Sequence, residues 1–193
     1  MFTYKTIASI TLVSLVGTGT VLAQDEDYGL GREATAKEIA GWNIDAPPSG
    51  EGLPDGSGSV AEGKEVYQAQ CQACHGADGK SGPMNRLVGG KGSLASDAPV
   101  KTVGSYWPYA TTLYDYVHRA MPFNSPQSLS PDETYAVTAY VLNLNGIVDG
   151  DTTLDADSLP EIKMPNRDGF VRPDPRPDVD ATTPYGSRTT LTE

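Results

Sequence analysis

A short motif at positions 71–75, Cys-Gln-Ala-Cys-His, constrains the fold of this chain more than any other stretch. The thiols of Cys71 and Cys74 lie one helical turn apart in such a motif, so both can add to vinyl groups on one edge of a porphyrin. The imidazole of His75 can then bind the iron as an axial ligand. The motif therefore predicts one covalently attached haem c.

Three other uses of a Cys-x-x-Cys pair compete with this interpretation. A zinc site would need further ligands, but the chain has only these two cysteines and one other histidine. A thioredoxin-like redox pair would lie in a βαβ pattern, and the sequence around the motif lacks one. A structural disulfide in a haem-free exported binding protein is the alternative that stays open.

The first 23 residues have the pattern of a secretory signal. Lys5 supplies a positive start, residues 7–16 are mostly apolar, and Val-Leu-Ala ends at position 23. The apolar run is short for a membrane anchor, and no later stretch is apolar enough to span a bilayer. We therefore expect a signal peptide at 1–23 that is cleaved near Ala23, and a periplasmic protein without an integral membrane segment. A signal retained as an anchor is the alternative.

The chain carries 14 Lys and Arg against 25 Asp and Glu, a formal net charge of −11. This acidity argues against nucleic acid as a partner, because nucleic acids are bound through basic surfaces. The acidic excess lies in two flanks, since residues 60–148 are close to neutral. We predict an N-terminal arm at 24–59, a haem domain at 60–148, and a peripheral, acidic and Pro-rich tail at 149–193.

The arm contains two large apolar residues in a polar context. A short helix is predicted at 34–41, followed at once by Trp42. Trp42 and Ile44 favour an arm that packs on the core, because their side chains would otherwise stay exposed to water.

Apolar periodicity predicts a first core helix at 61–70 that runs into the motif. Gly63, Tyr67 and Cys71 lie on one stripe of this helix, and Gly63 permits a second helix to approach closely. The irregular, glycine-rich stretch at 76–104 is long for a compact domain, which favours a loop that wraps a bound group.

Two more helices are predicted after this loop. One covers 108–120. It stops before Met121, because the residue that follows Met121 is proline, which cannot continue a helix. The other begins with Ser130 as N-cap and Glu133 as the second half of a capping box, and Gly146 is its C-terminal stop.

The second axial ligand has four candidates: Met84, Met121, Met164 and His118. Met121 follows His75 by about fifty residues and lies at a helix end, so its thioether can reach the iron from the opposite haem face. Met84 is too near the motif, Met164 is in the tail, and His118 lies away from the apolar stripe of its helix. Thioether ligation raises the reduction potential and fills the sixth position, which suits electron transfer. The alternative is that Met121 belongs only to the core.

Several positions outside the motif share one pattern: Gly63, Tyr67, Pro83, Met121, Pro122, Val137 and Tyr140. Together they resemble class I cytochromes c. The resemblance implies an all-α fold in which the first and last helices cross near a right angle, a further helix precedes the Met ligand, and long irregular extensions flank the domain. It also implies that Gly63 and Tyr67 pack against Val137 and Tyr140.

The same resemblance implies further contacts with the haem. The carbonyl of Pro83 would accept a hydrogen bond from the proximal imidazole, which orients the ring and tunes the iron. Arg86 and Trp107 are the first candidates for contacts with the propionates, and Tyr106 and Arg119 are two more.

Other stretches resemble a narrower group. Residues 102–116 and the sequence Arg-Ala-Met-Pro-Phe at 119–123 resemble the cytochrome subunit of the Sox sulfane dehydrogenases. The stretches at 29–35 and 163–170 resemble that subunit as well as cytochromes paired with bacterial sulfite dehydrogenases. Some Sox subunits carry two haem domains, whereas this chain has a single haem motif.

The resemblance implies an electron-transfer protein with one haem. It would accept single electrons from a molybdopterin sulfite or sulfane dehydrogenase and pass them to another cytochrome or a terminal oxidase of the respiratory chain. Catalysis by the chain itself is not expected, because the sequence offers neither a nucleophile–base set nor paired carboxylates. The alternatives are a general periplasmic shuttle, the cytochrome of another dehydrogenase, and a haem enzyme or gas-binding protein with an open sixth position.

Overall fold

The structure is a computed structural model that describes residues 30–170. The predicted signal peptide, its cleavage site and the part of the predicted tail beyond Phe170 lie outside the described residues. From Ala36 onward the described chain belongs to one compact unit, which contains every element named below. None of the helices within the described range is long and apolar enough to cross a membrane.

Five α-helices and a small two-stranded ribbon make up this unit. The helices are α1 Ala36–Trp42, α2 Val60–Gln70, α3 Gln72–His75, α4 Ala110–Ala120 and α5 Pro131–Leu144. The strands are β1 Ser57–Ser59 and β2 Thr153–Asp155, and a 3₁₀ turn follows at Leu159–Glu161. The three predicted core helices correspond to α2, α4 and α5 with bounds shifted by at most two residues, and the all-α fold class is confirmed.

Helices α2 and α5 begin with the same capping device. In α5 the Ser130 side chain accepts from the Glu133 N–H at 3.2 Å, and the Glu133 carboxylate accepts from the Ser130 N–H at 2.8 Å. Ser59 and Glu62 repeat this arrangement at the start of α2. Both boxes satisfy backbone donors that would otherwise lack partners at a helix start. The box of α5 was predicted, whereas that of α2 was overlooked.

The crossing of α2 over α5 depends on a glycine. A methyl group at Gly63 would overlap the carbonyl group of Ala136 and approach the Cβ of Tyr140 to 2.9 Å. The ring of Tyr67, fully buried, packs on that of Tyr140 with centroids 5.2 Å apart. The predicted contact is therefore present, except that the nearest α5 neighbour of Gly63 is Ala136, one position before Val137. A small residue is needed there because the two backbones touch.

The segment after α5 returns to the core. Strand β2 pairs antiparallel with β1, which places Leu154 opposite Gly58. Leu154, Leu159 and Met164 are almost completely buried. The prediction of a peripheral tail is wrong for this stretch, because these three apolar side chains face inward although its average composition is polar.

The predicted arm packs on the core, and of its two predicted contacts only Ile44 takes part, because it is half-buried and lines a cleft with Tyr114 and His118. Trp42 is 83% exposed, so the expectation that it packs inward is wrong. Further contacts lie later in the arm, where Ala46 is buried and the Tyr135 hydroxyl donates to the carbonyl of Pro54 at 2.9 Å. The boundaries of the three segments at 24–59, 60–148 and 149–193, which rest on the distribution of charge, remain predictions.

Replacing Gly63 tests the helix crossing. We expect Gly63→Ala to lower the free energy of unfolding of the haem-loaded protein by about 1–3 kcal/mol, because overpacking forces two backbones apart. Gly41→Ala is the matched control, since a methyl group there meets open space. Urea denaturation measures both, and equal midpoints for the two variants would contradict the crossing.

A second prediction concerns alkaline pH. Burial, followed by the nearby Asp155 carboxylate, raises the pKa of Tyr135 from 10.0 to about 12. Between these values the unfolded chain loses a proton that the folded chain keeps, so stability should fall as pH rises above about 10. Tyr135→Phe should make that fall shallower, whereas Tyr116→Phe, at a half-exposed tyrosine, should not. Urea denaturation from pH 8 to 11 provides the comparison, and identical slopes would refute it.

Candidate haem-binding site

The motif forms a single helical turn directly after α2. The Cys71 N–H donates to the Tyr67 carbonyl at 2.9 Å, which ends α2. The N–H groups of Cys74 and His75 then both donate to the Cys71 carbonyl, at 3.1 and 3.0 Å. Both thiols are free, with Cys71 half-buried and Cys74 exposed. The turn therefore holds two free thiols one helical turn apart, which is the sequence spacing of a haem c attachment motif.

The surroundings of Cys71 favour an uncharged sulfur. Burial, and next the neighbouring Cys74, raise the pKa of the Cys71 thiol to about 11. Desolvation acts against a thiolate and leaves neutral sulfur unaffected. A thioether is neutral, so this position suits the bonded form of the cysteine.

The ring of His75 is held by the backbone of the following loop. Its Nδ1 lies 2.8 Å from the carbonyl oxygen of Asn85. A carbonyl can only accept, so Nδ1 carries the proton and Nε2 keeps the lone pair that a metal ligand needs. The predicted role of Pro83 is wrong, because the carbonyl on the ring belongs to Asn85, two residues later.

The loop after the motif is closed by backbone contacts, which explains this shift. Gly82 lies directly against the backbone of the motif turn, where a methyl group would overlap the Cys74 carbonyl. The Met84 N–H donates to the same carbonyl at 2.9 Å. The chain reaches the His75 ring only after this crossing, at Asn85.

Further bonds fix the ends of this loop. The Tyr67 hydroxyl donates to the Gly76 carbonyl at 2.9 Å, so the buried ring of α2 also holds the end of the motif turn. At the far end the Asn145 side chain donates to the Leu87 carbonyl at 3.2 Å. The loop is thus attached to both helices of the crossing.

Met121 lies at the end of α4, as predicted. Its N–H donates to the Val117 carbonyl at 3.0 Å, and its backbone is already extended. The side chain is half-buried and packs at the margin of the core that Cys71 and Trp107 also border. The other methionines differ, because Met84 is 60% exposed and Met164 is enclosed in the core. Met121 therefore remains the methionine best placed as the second ligand, and this assignment stays a prediction.

The remaining candidates have distinct environments. Trp107 is half-buried with its ring edge-to-face on Tyr116 at 5.7 Å, and Arg86 is exposed. Their predicted contacts with haem propionates stay predictions. Arg119 fits that role poorly, because its guanidinium is bound by Asp45 at 2.6 Å and Asp115 at 3.0 Å.

His118 does not face the solvent as a plain surface histidine. Its ring stacks on Tyr114 with centroids 5.9 Å apart, and its Nδ1 is buried without a hydrogen-bond partner in the described structure. Both rings line a cleft against the arm.

The donor set of this site fits a haem c. Two thiols one turn apart would hold the porphyrin edge, His75 offers Nε2, and Met121 offers a thioether. When bound, the haem supplies a one-electron couple whose potential the axial ligands set. Across residues 30–170, His, Cys, Asp and Glu side chains nowhere form a group of three or more that could hold a metal ion.

The comparisons with known proteins agree with this geometry. The family model described as Cytochrome c matches residues 60–145. A chain in the crystal structure of the sulfane dehydrogenase SoxCD from Paracoccus pantotrophus is 48% identical, with a TM-score of 0.70. The match covers 76% of this chain and 73% of that one. The chain belongs to the cytochrome c family, for which electron transfer is the role and covalently bound haem c the cofactor.

A second relative is more distant. The thiosulfate dehydrogenase of Stutzerimonas stutzeri (strain A1501) is 27% identical over 115 residues, which are 52% of this chain and 35% of that protein. The chain thus spans about a third of the length of this curated relative. Because the match covers only part of that protein, it supports the family assignment but does not show that this chain shares the activity of the whole relative.

Replacing the methionines one at a time tests the second ligand. We expect Met121→Ala to remove the weak methionine–iron charge-transfer band and to let carbon monoxide bind the reduced protein readily. Met84→Ala should retain the band, and Met164→Ala should retain it while costing about 2–5 kcal/mol of stability as a core truncation. Visible spectra and urea denaturation separate these outcomes. Rapid carbon monoxide binding by the unmodified protein would contradict Met121 ligation.

Proposed function

We propose that this protein is a periplasmic cytochrome c with one haem that accepts single electrons from a molybdenum sulfite or sulfane dehydrogenase. It passes them to another cytochrome or a terminal oxidase of the respiratory chain. The observation that carries the proposal is the 48% identity to a chain of SoxCD over about three quarters of both chains. The similarity to SoxCD extends beyond the haem domain, because it covers about three quarters of the chain whereas the family model matches only residues 60–145.

The residues of the chain supply the groups that would bind the haem and the packing that supports those groups. Cys71, Cys74, His75 and Met121 would bind the haem, and the buried Tyr67 in the crossing of α2 and α5 holds the end of the motif turn. The edge near Cys74 is open, because Cys74 is exposed and Met84, bonded to its carbonyl, is exposed too. Electrons would leave and enter at this edge.

A partner would bind this edge over a small area. Redox encounters use small interfaces of modest affinity, because the complex must separate after each electron. The acidic excess of the flanks would then act on the rate of encounter more than on the strength of binding. A partner with a basic surface opposite these flanks would be attracted over a distance.

Reduction by a purified dehydrogenase tests the proposal. We expect the haem-loaded protein to be reduced within seconds by a sulfite or sulfane dehydrogenase and its substrate, and at a rate that falls as ionic strength rises. Stopped-flow absorption of the reduced haem gives the rate. The controls omit the enzyme, omit the substrate, or use a dehydrogenase for an unrelated substrate. Equal reduction by the unrelated enzyme would indicate a general shuttle.

The thiosulfate dehydrogenase relative favours a second candidate, in which the chain acts on thiosulfate itself. Thiosulfate added alone should leave the oxidised protein unchanged if the chain only transfers electrons. Catalytic oxidation of thiosulfate by the purified chain, with an artificial electron acceptor, would make it an enzyme and refute the proposal.

A further inference from the structure

Helix α4 is attached to the arm by a compact set of polar contacts just before Met121. One carboxylate oxygen of Asp115 accepts from the backbone N–H of Ala46 at 3.0 Å. The same oxygen accepts from Nη2 of Arg119 at 3.0 Å, and the other oxygen accepts from its Nε at 3.4 Å. Arg119 also binds the carboxylate of Asp45 at 2.6 Å. Two consecutive arm residues are therefore held by one turn of α4.

The exposed fractions of these side chains indicate which contact contributes most to holding the arm on α4. The Asp45 side chain is 78% exposed, so its ion pair with Arg119 is screened by water. The Asp115 side chain is 28% exposed, and its partner Ala46 is buried. A buried N–H that loses its acceptor must stay unpaired, which is costly. Asp115 is thus the central residue of the contact.

The contact acts on the same helical turn that ends in Met121. Arg119 lies inside the turn that the Met121 N–H closes by donating to the Val117 carbonyl at 3.0 Å. The last turn of a helix frays readily unless other contacts hold it. The arm is also fixed on its other side, where the Tyr135 hydroxyl of α5 binds the Pro54 carbonyl. The arm therefore bridges α4 and α5.

We infer that Asp115 is a positioning residue for the Met121 thioether, which it holds in place by fastening the arm to the last turn of α4. This inference rests on the proposed ligation of the haem by Met121. It gives the arm a role in the redox site although the arm contributes no candidate ligand. Loss of the contact should let the end of α4 open and Met121 leave the iron more often.

Two readouts on the full haem-loaded protein test the role of Asp115. The first is hydrogen exchange of the amides at 117–121, and the second is the rate at which imidazole displaces the sixth ligand of the oxidised protein. Asp115→Ala should speed both by about tenfold, the effect expected when a hydrogen bond to a charged group is lost. Asp115→Asn keeps an oxygen acceptor for the Ala46 N–H and should lie between Asp115→Ala and the unmodified protein.

The matched control is Asp97→Ala, at an exposed carboxylate in the loop before α4. It should leave both readouts unchanged. If Asp115→Ala speeds exchange equally in α5, the residue only supports global stability, and the inference is wrong. Unchanged exchange at 117–121 would also overturn it, as would faster exchange without faster ligand displacement.

These outcomes do not depend on the proposed partner. Neither readout involves a dehydrogenase, so a failure of the reduction assay leaves them intact. Loss of the charge-transfer band in Met121→Ala, measured separately, establishes that the displaced ligand is the thioether.

Discussion

The contact between the backbones of α2 and α5 at Gly63 is the constraint on which the packing around the motif turn depends. Because Gly63 has no side chain, the carbonyl of Ala136 can lie against it, and the rings of Tyr67 and Tyr140 then pack together beside the contact. Tyr67 in turn reaches the end of the motif turn with its hydroxyl, and the loop that holds His75 is attached to the end of α5 through Asn145. The geometry of the candidate site therefore follows from one close approach of two helices.

The site combines groups that are each tuned by a different physical cause. Burial keeps the sulfur of Cys71 neutral, whereas a single backbone carbonyl fixes the tautomer of His75. Met121 follows the end of a helix whose last turns are bonded to the arm through Asp115 and Arg119. These causes act on different residues, so substitutions can alter the surroundings of Cys71, the ring of His75 and the end of α4 one at a time.

Local sequence signals predicted the parts of the structure that depend on near neighbours. The Ser130–Glu133 box and the end of α4 before Pro122 each need only a few adjacent residues, and both are present. Asn85 could not be found this way, because a backbone carbonyl carries no side-chain signal. The inward return of Leu154 and Met164 was hidden by an acidic, Pro-rich average composition. The prediction that Trp42 packs on the core was wrong, because a large apolar side chain is not always buried within its own protein.

The pairing of β1 with β2 has a further consequence for how such a domain can be used. It brings the segment before the first core helix and the segment after the last one to within a strand spacing, about 4.8 Å. The chain therefore enters and leaves the helical unit at neighbouring positions. Such a unit can be inserted into a loop of a longer polypeptide without moving the two ends of that loop apart.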